Sequence, residues 1–226
     1  SYTLTNNSET ATVLNNIDAN TAKPIDAKLI TALAADSLAA AKTAFDGNHA
    51  SGDGSETTTA NYINLKKDVT VEFNDGNAAT NAAEVQDVEF VASRTTGAIT
   101  GNLANTAAVI ADNLTSRSNL DQFTIVVSND GGGATAASKL KQVDDSTGLL
   151  VTATAVESIT GNYADVLEVV VTDEAAAGDK INLDTNFELA ITGSTLDMDN
   201  GTVRGNFSSI LAKTLNGAGI GERSES

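Results

Sequence analysis

The chain has 226 residues with no cysteine and no tryptophan, and its 30 acidic against 13 basic side chains give a net charge of −17 and a pI near 4.1. The missing thiols exclude disulfides, thiolate metal sites and cysteine nucleophiles, while an acidic surplus spread along the whole chain argues against nucleic acid or anionic lipid as a partner and suits a soluble protein at high ionic strength. Hydrophobic residues make up 41% but aromatics only 4%, so burial must draw on many small side chains and on backbone ladders.

In chain order, the first five residues, SYTLT, alternate polar and apolar and predict a short strand with Tyr2 and Leu4 on one face. Ser8 then offers a hydroxyl cap to helical turns carrying Thr12, Val13, Leu14 and Ile17, which end near Asn20. Pro24 stands where a second helix would begin. That helix is expected over Ile25 to Phe45, with an apolar stripe of Ile25, Leu29, Ile30, Leu33, Leu38 and Phe45, Asp26 near its start and Gly47 at its end. The stripe is flanked by alanine, so the packing of Leu29, Leu33 and Phe45 is expected to be completed by a neighbouring subunit, and the stretch is as much an interface as a core.

Residues 47–60, GNHASGDGSETTTA, have no periodicity and read as a loop or linker. The expected organisation is therefore a strand-plus-helix segment over 1–47, a linker over 48–60 and a β-rich domain with short helices over 61–226. In that last part Tyr62 to Leu65, Val69 to Phe73 and Val85 to Ala92 read as strands, with further strands at Gly148 to Val156, Lys180 to Leu183 and Phe187 to Thr192.

Two recurrences run through the same region. Gly-Asn precedes Leu, Tyr or Phe at Gly101, Gly161 and Gly205, as expected of a strand-to-helix turn in which Gly takes a positive φ and Asn caps the helix. A β-branched or aromatic run passes into an acidic or glycine-rich turn at Val69 to Thr80, Phe123 to Ser138 and Leu167 to Lys180. The spacings keep to no fixed period, so the expected fold is a compact α+β domain of short strands with an Ala-rich helical N-terminal segment, in preference to a regular solenoid.

Catalytic signatures are scarce. The one histidine, His49, lies in the Gly-rich stretch without a nucleophile elbow or a zinc helix, no phosphate-cradling Gly-Lys-Ser/Thr run occurs, and a sugar-cleaving cleft would want more aromatic platforms than three Tyr and no Trp supply. The chain is therefore read as no enzyme. Calcium is the cofactor with some chemical basis: LDMDNGT sets Asp197, Asp199 and Asn200 before Gly201, like a truncated calcium loop without its terminal bidentate Glu, and an ordinary Asp-Gly turn is the other reading. No stretch approaches the length of apolar sequence needed to span a bilayer, so membrane insertion is not expected.

The opening stretch, with Leu14, Asn15, Ile17, Asp18, Asn20 and Thr21 followed by Leu29, Thr31, Leu33, Ala35 and Asp36, resembles the Ala-, Thr-, Asn- and Asp-rich repeats of very large bacterial surface proteins, especially those of marine cyanobacteria. It covers about one fifth of the chain and departs from the pattern at Lys23-Pro24-Ile25, where such repeats usually have Gly. The resemblance implies an extracellular, cell-surface or virion setting and a structural or adhesive role. The leading expectation is a non-enzymatic structural protein that self-assembles into an extracellular array (a filament, a surface layer or a virion exterior) as a homo-oligomer or polymer, with Tyr2, Leu4, Leu29, Leu33 and Phe45 at the assembly interface. The alternative is a calcium-dependent adhesion module that binds a glycan through Asp197, Asp199 and Asn200.

Overall fold

The computed structural model describes residues 1–46, 63–73, 79–116, 121–173, 180–184, 186–193 and 196–214. They form a mixed α/β structure with mostly parallel sheets. Two compact units are distinguished: Ser1–Ala104 with Asp112–Thr124 and Ser146–Gly148, and Asn105–Ala111 with Ile125–Asp145 and Leu149–Ser226.

The first unit repeats one motif, strand, strand, helix. It comprises β1 (Tyr2–Thr3), β2 (Ser8–Thr10) and α1 (Ala11–Ala19); β3 (Ile25–Ala27), β4 (Ala32–Asp36) and α2 (Leu38–Phe45); and β5 (Ile63–Leu65), β6 (Thr70–Phe73) and α3 (Ala82–Ala92), followed by β7 (Ile99–Thr106). The first strands of the coils stack in the order β1-β3-β5 and the second strands in the order β2-β4-β6-β7. Stacking puts like residues side by side: Ile25 pairs with Ile63, and Leu33 with Val71, which pairs with Ile99. All of these are at most 2% exposed, so aliphatic ladders run through the stack and compensate for the shortage of large aromatic side chains.

After α4 (Ala107–Asn113), the second unit repeats the motif with β8 (Gln122–Ser128), β9 (Thr135–Ala136) and α5 (Ala137–Asp144); β10 (Val151–Ala153), β11 (Ser158–Gly161) and α6 (Tyr163–Leu167); and β12 (Ile181–Leu183), β13 (Glu188–Ile191) and α7 (Gly201–Thr214). Its ladders run β8-β10-β12 and β9-β11-β13. Ile125, Val151 and Ile181 form one fully buried column.

Several sequence expectations are corrected here. Ile25 to Phe45 is not one helix. Its first part forms β3 and β4, because their backbone groups complete the ladders on both sides, and the hydroxyl of Ser37 then starts α2 by accepting from the Ala40 N–H at 3.1 Å. High alanine propensity is outweighed by parallel pairing. Leu33 and Phe45 are consequently interior, at 1% and 4% exposed. Val85 to Ala92 is helix α3, not a strand: Asn81 and Glu84 close a capping box, and Val85, Val88, Val91 and Ala92 are buried at helical spacing. Leu167 to Val171 is likewise helical, running from α6 into a π-helical turn, Glu168–Thr172, in spite of three consecutive valines. The repeated strand–strand–helix coils replace the expected compact α+β arrangement. The stretch read as a linker, 48–60, and His49 lie outside the described residues.

The expected strand-to-helix turn with an Asn cap is found at one of the three Gly-Asn sites, and its glycine does not take a positive φ. Gly161 ends β11 and Asn162 caps α6, accepting from the Asp165 N–H at 3.0 Å. Gly205 lies inside α7. Gly101 lies inside β7, where an added Cβ would come within 2.1 Å of the Phe73 ring.

Part of the acidic surplus ties coils together. Asp36, at the end of β4, accepts from the Thr12 N–H at 2.6 Å and the Thr12 hydroxyl at 3.0 Å, holding the start of α1. The buried Asp121 accepts from the Ile99 N–H at 2.9 Å. Glu89 on α3 accepts from both the N–H and the hydroxyl of Thr115 and of Ser116, at 2.7 to 2.8 Å. Burial alone would raise the Glu89 pKa, but the Ser116 and Thr115 donors together outweigh it and hold it below the ordinary 4.5. A depressed native pKa contributes stability above the unfolded pKa, and this contribution is lost as pH falls through the native one. Glu89→Gln is therefore expected to lower stability by about 1–2 kcal/mol at neutral pH, discounted for solvent screening, and to flatten the acid limb of stability against pH. Urea unfolding of both proteins from neutral pH to below 4.5 checks this; parallel curves would contradict it.

Candidate functional site

Two open grooves are formed by residues of the outermost coils. In the first unit a groove of about 420 Å³ is lined by Tyr2, Val13, Asn16, Ile17, Asn20 and Thr21. It is shaped by β1 and by α1, which begins where the Thr10 hydroxyl accepts from the Val13 N–H at 3.2 Å and buries Ala11 and Leu14 on the opposite side. Tyr2 and Val13 remain 52% and 38% exposed. Among the described residues β1 is tied down on one side, through Tyr2 N–H to the Pro24 carbonyl and Leu4 N–H to the Asp26 carbonyl, both at 2.9 Å.

In the second unit a groove of about 260 Å³ is lined by Leu189, Ile191, Phe207, Ile210, Leu211 and Thr214. It lies between α7 and β13, which among the described residues pairs with β11. Phe207, Ile210, Leu211 and Thr214 share one helix face by their spacing. Ile210 is fully buried and Leu211 is 39% exposed.

Of the five residues expected at an assembly interface, Tyr2 alone lines a groove. Leu4 is half-buried, Leu29 is 55% exposed in the turn after β3, and Leu33 and Phe45 are interior. Val13 and Ile17 were readable as helix residues but not as a surface, because the sequence does not show which turn of a stack is outermost. The α7 face was the more legible of the two, since Phe207, Ile210, Leu211 and Thr214 fit the i, i+3, i+4, i+7 pattern of an amphipathic helix.

The expected metal ligands form the turn into α7. Asp197 accepts from the Asp199 N–H at 3.1 Å, and Asn200 accepts from the Thr202 and Val203 N–H groups at 3.0 and 3.4 Å, which makes Asn200 the helix cap. Local hydrogen bonding thus engages one Asp197 carboxylate oxygen and the Asn200 amide oxygen. Among the described residues no group of three or more His, Cys, Asp or Glu side chains is placed to hold a metal ion, and no helix is long and apolar enough to cross a membrane.

A third, more polar cavity of about 330 Å³ lies in the first unit between the end of α3 and β7, lined in part by Ser93, Thr95, Ser116 and Asp121. Its carboxylate is engaged with the Ile99 N–H, and its Thr95 hydroxyl donates to the Val69 carbonyl at 2.6 Å. These are bonds that join neighbouring coils.

The chain matches no protein-family model, and no characterised protein or solved structure is similar to it.

Proposed function

We propose that this is a non-enzymatic structural protein that copies itself into an extracellular array such as a filament, a surface layer or a virion exterior. The observation that carries the reading is the stacking of coils within each unit, with outer strands that among the described residues pair on one side and lie beside apolar grooves: such edges are sites for strand addition. The extracellular setting rests on the resemblance of the opening stretch to repeats of bacterial surface proteins. Absence of cysteine and a strongly acidic composition fit that setting.

The test is association of the purified full chain. Light scattering is expected to give a mass that rises with protein concentration, and negative-stain microscopy is expected to show ordered assemblies of uniform width. A constant monomer mass up to millimolar concentration, with and without calcium, would remove the reading.

A further inference from the structure

One groove lies on the first coil of the first unit and the other on the last coil of the second. Within each unit the order of strands in the sheets matches the order in the chain. β1 and β2 therefore expose the edge that, in an inner coil, is covered by the preceding coil, and β12 and β13 expose the edge that is covered by the next coil.

We infer that these two surfaces are halves of one contact: the β12–β13–α7 face of one copy receives the β1–β2–α1 face of a second copy, so that successive copies stack head to tail with their strands parallel. The inference rests on the array reading and names its interface.

Three observations select a second copy as the occupant. Within each unit the strand pairs are parallel, and a head-to-tail neighbour continues that pattern, whereas a two-fold contact between identical faces would reverse either the strand direction or the inward side of the sheet. The exposed apolar side chains also match in kind: Tyr2 and Val13 on one face, Leu211 beside the half-buried Leu189, Ile191 and Phe207 on the other.

Charge points the same way. Residues 1–30 carry Glu9, Asp18 and Asp26 against Lys23 and Lys28, and residues 180–214 carry Asp184, Glu188, Asp197 and Asp199 against Lys180, Arg204 and Lys213. Each of these segments is thus almost neutral, and −14 of the net charge of −17 lies in residues 31–179. Copies that meet through these two segments bring little net charge together. A contact of this heterologous kind does not close on itself unless its rotation happens to make a ring, and it grows into a fibre.

The experiment uses the full chain and two variants at exposed groove positions, Val13→Glu on the head face and Leu211→Glu on the tail face. Sedimentation velocity over a concentration series is expected to show polymers for the unaltered protein. Each variant alone is expected to associate at least about tenfold more weakly, the order expected for placing a charge where an apolar side chain is buried. An equimolar mixture of the two variants is expected to form a dimer and nothing longer, since the mixture retains one intact head and one intact tail. Thermal melts establish that each variant is folded; where one is not, Asn16→Arg or Thr214→Arg, at polar positions in the same grooves, takes its place.

Polymers that form equally well with either variant, loss of association with only one of them, or a mixture that stays monomeric would each overturn the head-to-tail contact while leaving the array reading in place. An unaltered protein that is monomeric throughout would remove both.

Discussion

Removing the Phe73 ring, as Phe73→Ala, is expected to lower stability by about 3–5 kcal/mol, and adding a single methyl opposite it, as Gly101→Ala, by about 2–3 kcal/mol. Together they are expected to cost less than the sum by at least about 1 kcal/mol. Phe73 on β6 is 3% exposed and its ring lies 6.3 Å from that of Phe123, at 40°, a tilted aromatic pair in a chain that has few aromatics. The ring occupies the space where a Cβ on Gly101 would stand: Cε2, Cζ and Cδ2 would be 2.1, 2.2 and 2.7 Å away. With Phe73 present the alanine methyl has to displace a ring that is already held by Phe123. With Phe73 gone the same methyl fills part of the vacated volume. Urea unfolding of the two single variants and the double variant measures the coupling, and strict additivity would show that the two sites do not share that space.

Gly97→Ala is expected to cost about 3 kcal/mol with no partner substitution able to recover it. A Cβ there would meet the Val69 carbonyl oxygen at 2.3 Å and the Asp68 carbonyl oxygen at 2.6 Å, both backbone atoms. The segment that would have to move is closely tied. Thr95 donates its hydroxyl to the Lys67 and Val69 carbonyls at 3.1 and 2.6 Å and accepts from the Gly97 N–H at 2.9 Å. The Thr96 N–H reaches the Lys67 carbonyl at 2.9 Å and the Val71 N–H reaches the Ala98 carbonyl at 3.0 Å. Separating the strands enough to admit the methyl strains all of these bonds at once. Thermal and urea melts check the size of the effect, and a loss below about 1 kcal/mol would show that the two backbones part easily.

The sequence makes Gly101 look like a turn residue, and it lies inside β7, while Gly97 lies in the connection before β7. A glycine required by a ring on the preceding strand or by the carbonyl of a neighbouring loop leaves no local mark, because its cause lies in the adjacent coil. The same limitation explains the larger correction. β6, β8, β10, β12 and β13 arise from β-branched and aromatic runs, and α1 arises from its spacing of Val13, Leu14 and Ile17. By contrast β3 and β4 are made of residues with good helix propensity, and their state is decided by Ile63, Val71 and Ser8 pairing beside them. Ser37, capping α2 in the middle of the expected long helix, was the one local sign that the helix begins there.

The repeat itself was obscured by uneven spacing. Helices start after Thr10, Ser37, Asn81 and Asn162, and the residues between successive caps differ greatly in number although the strands stay in register. The Ile-Thr-Gly-Asn similarity between Ile99 and Ile159 misled in a further way: Ile99 pairs with Val71, at the start of β7, whereas Ile159 pairs with Thr135 and Leu189 immediately before a helix. Identical tetrapeptides occupy different turns of the coil. At the candidate site, Tyr2 and the α7 face were legible as exposed apolar residues, but the pairing of one face with the other depends on strand order, which only the assembled ladders reveal.

Register that survives such unequal connections has an evolutionary consequence. Ile25 and Ile63 lie side by side although α2 and residues 46–62 come between them in the chain. A coil recognises its neighbours and is indifferent to the length of chain that leads to them, so energy in such a stack is a sum over adjacent pairs. Whole coils can then be duplicated, deleted or exchanged between genes at the helix-to-strand junctions, each event altering one interface and leaving the remainder intact. Lineages that carry this architecture are free to vary in length far faster than in the residues that line the ladders.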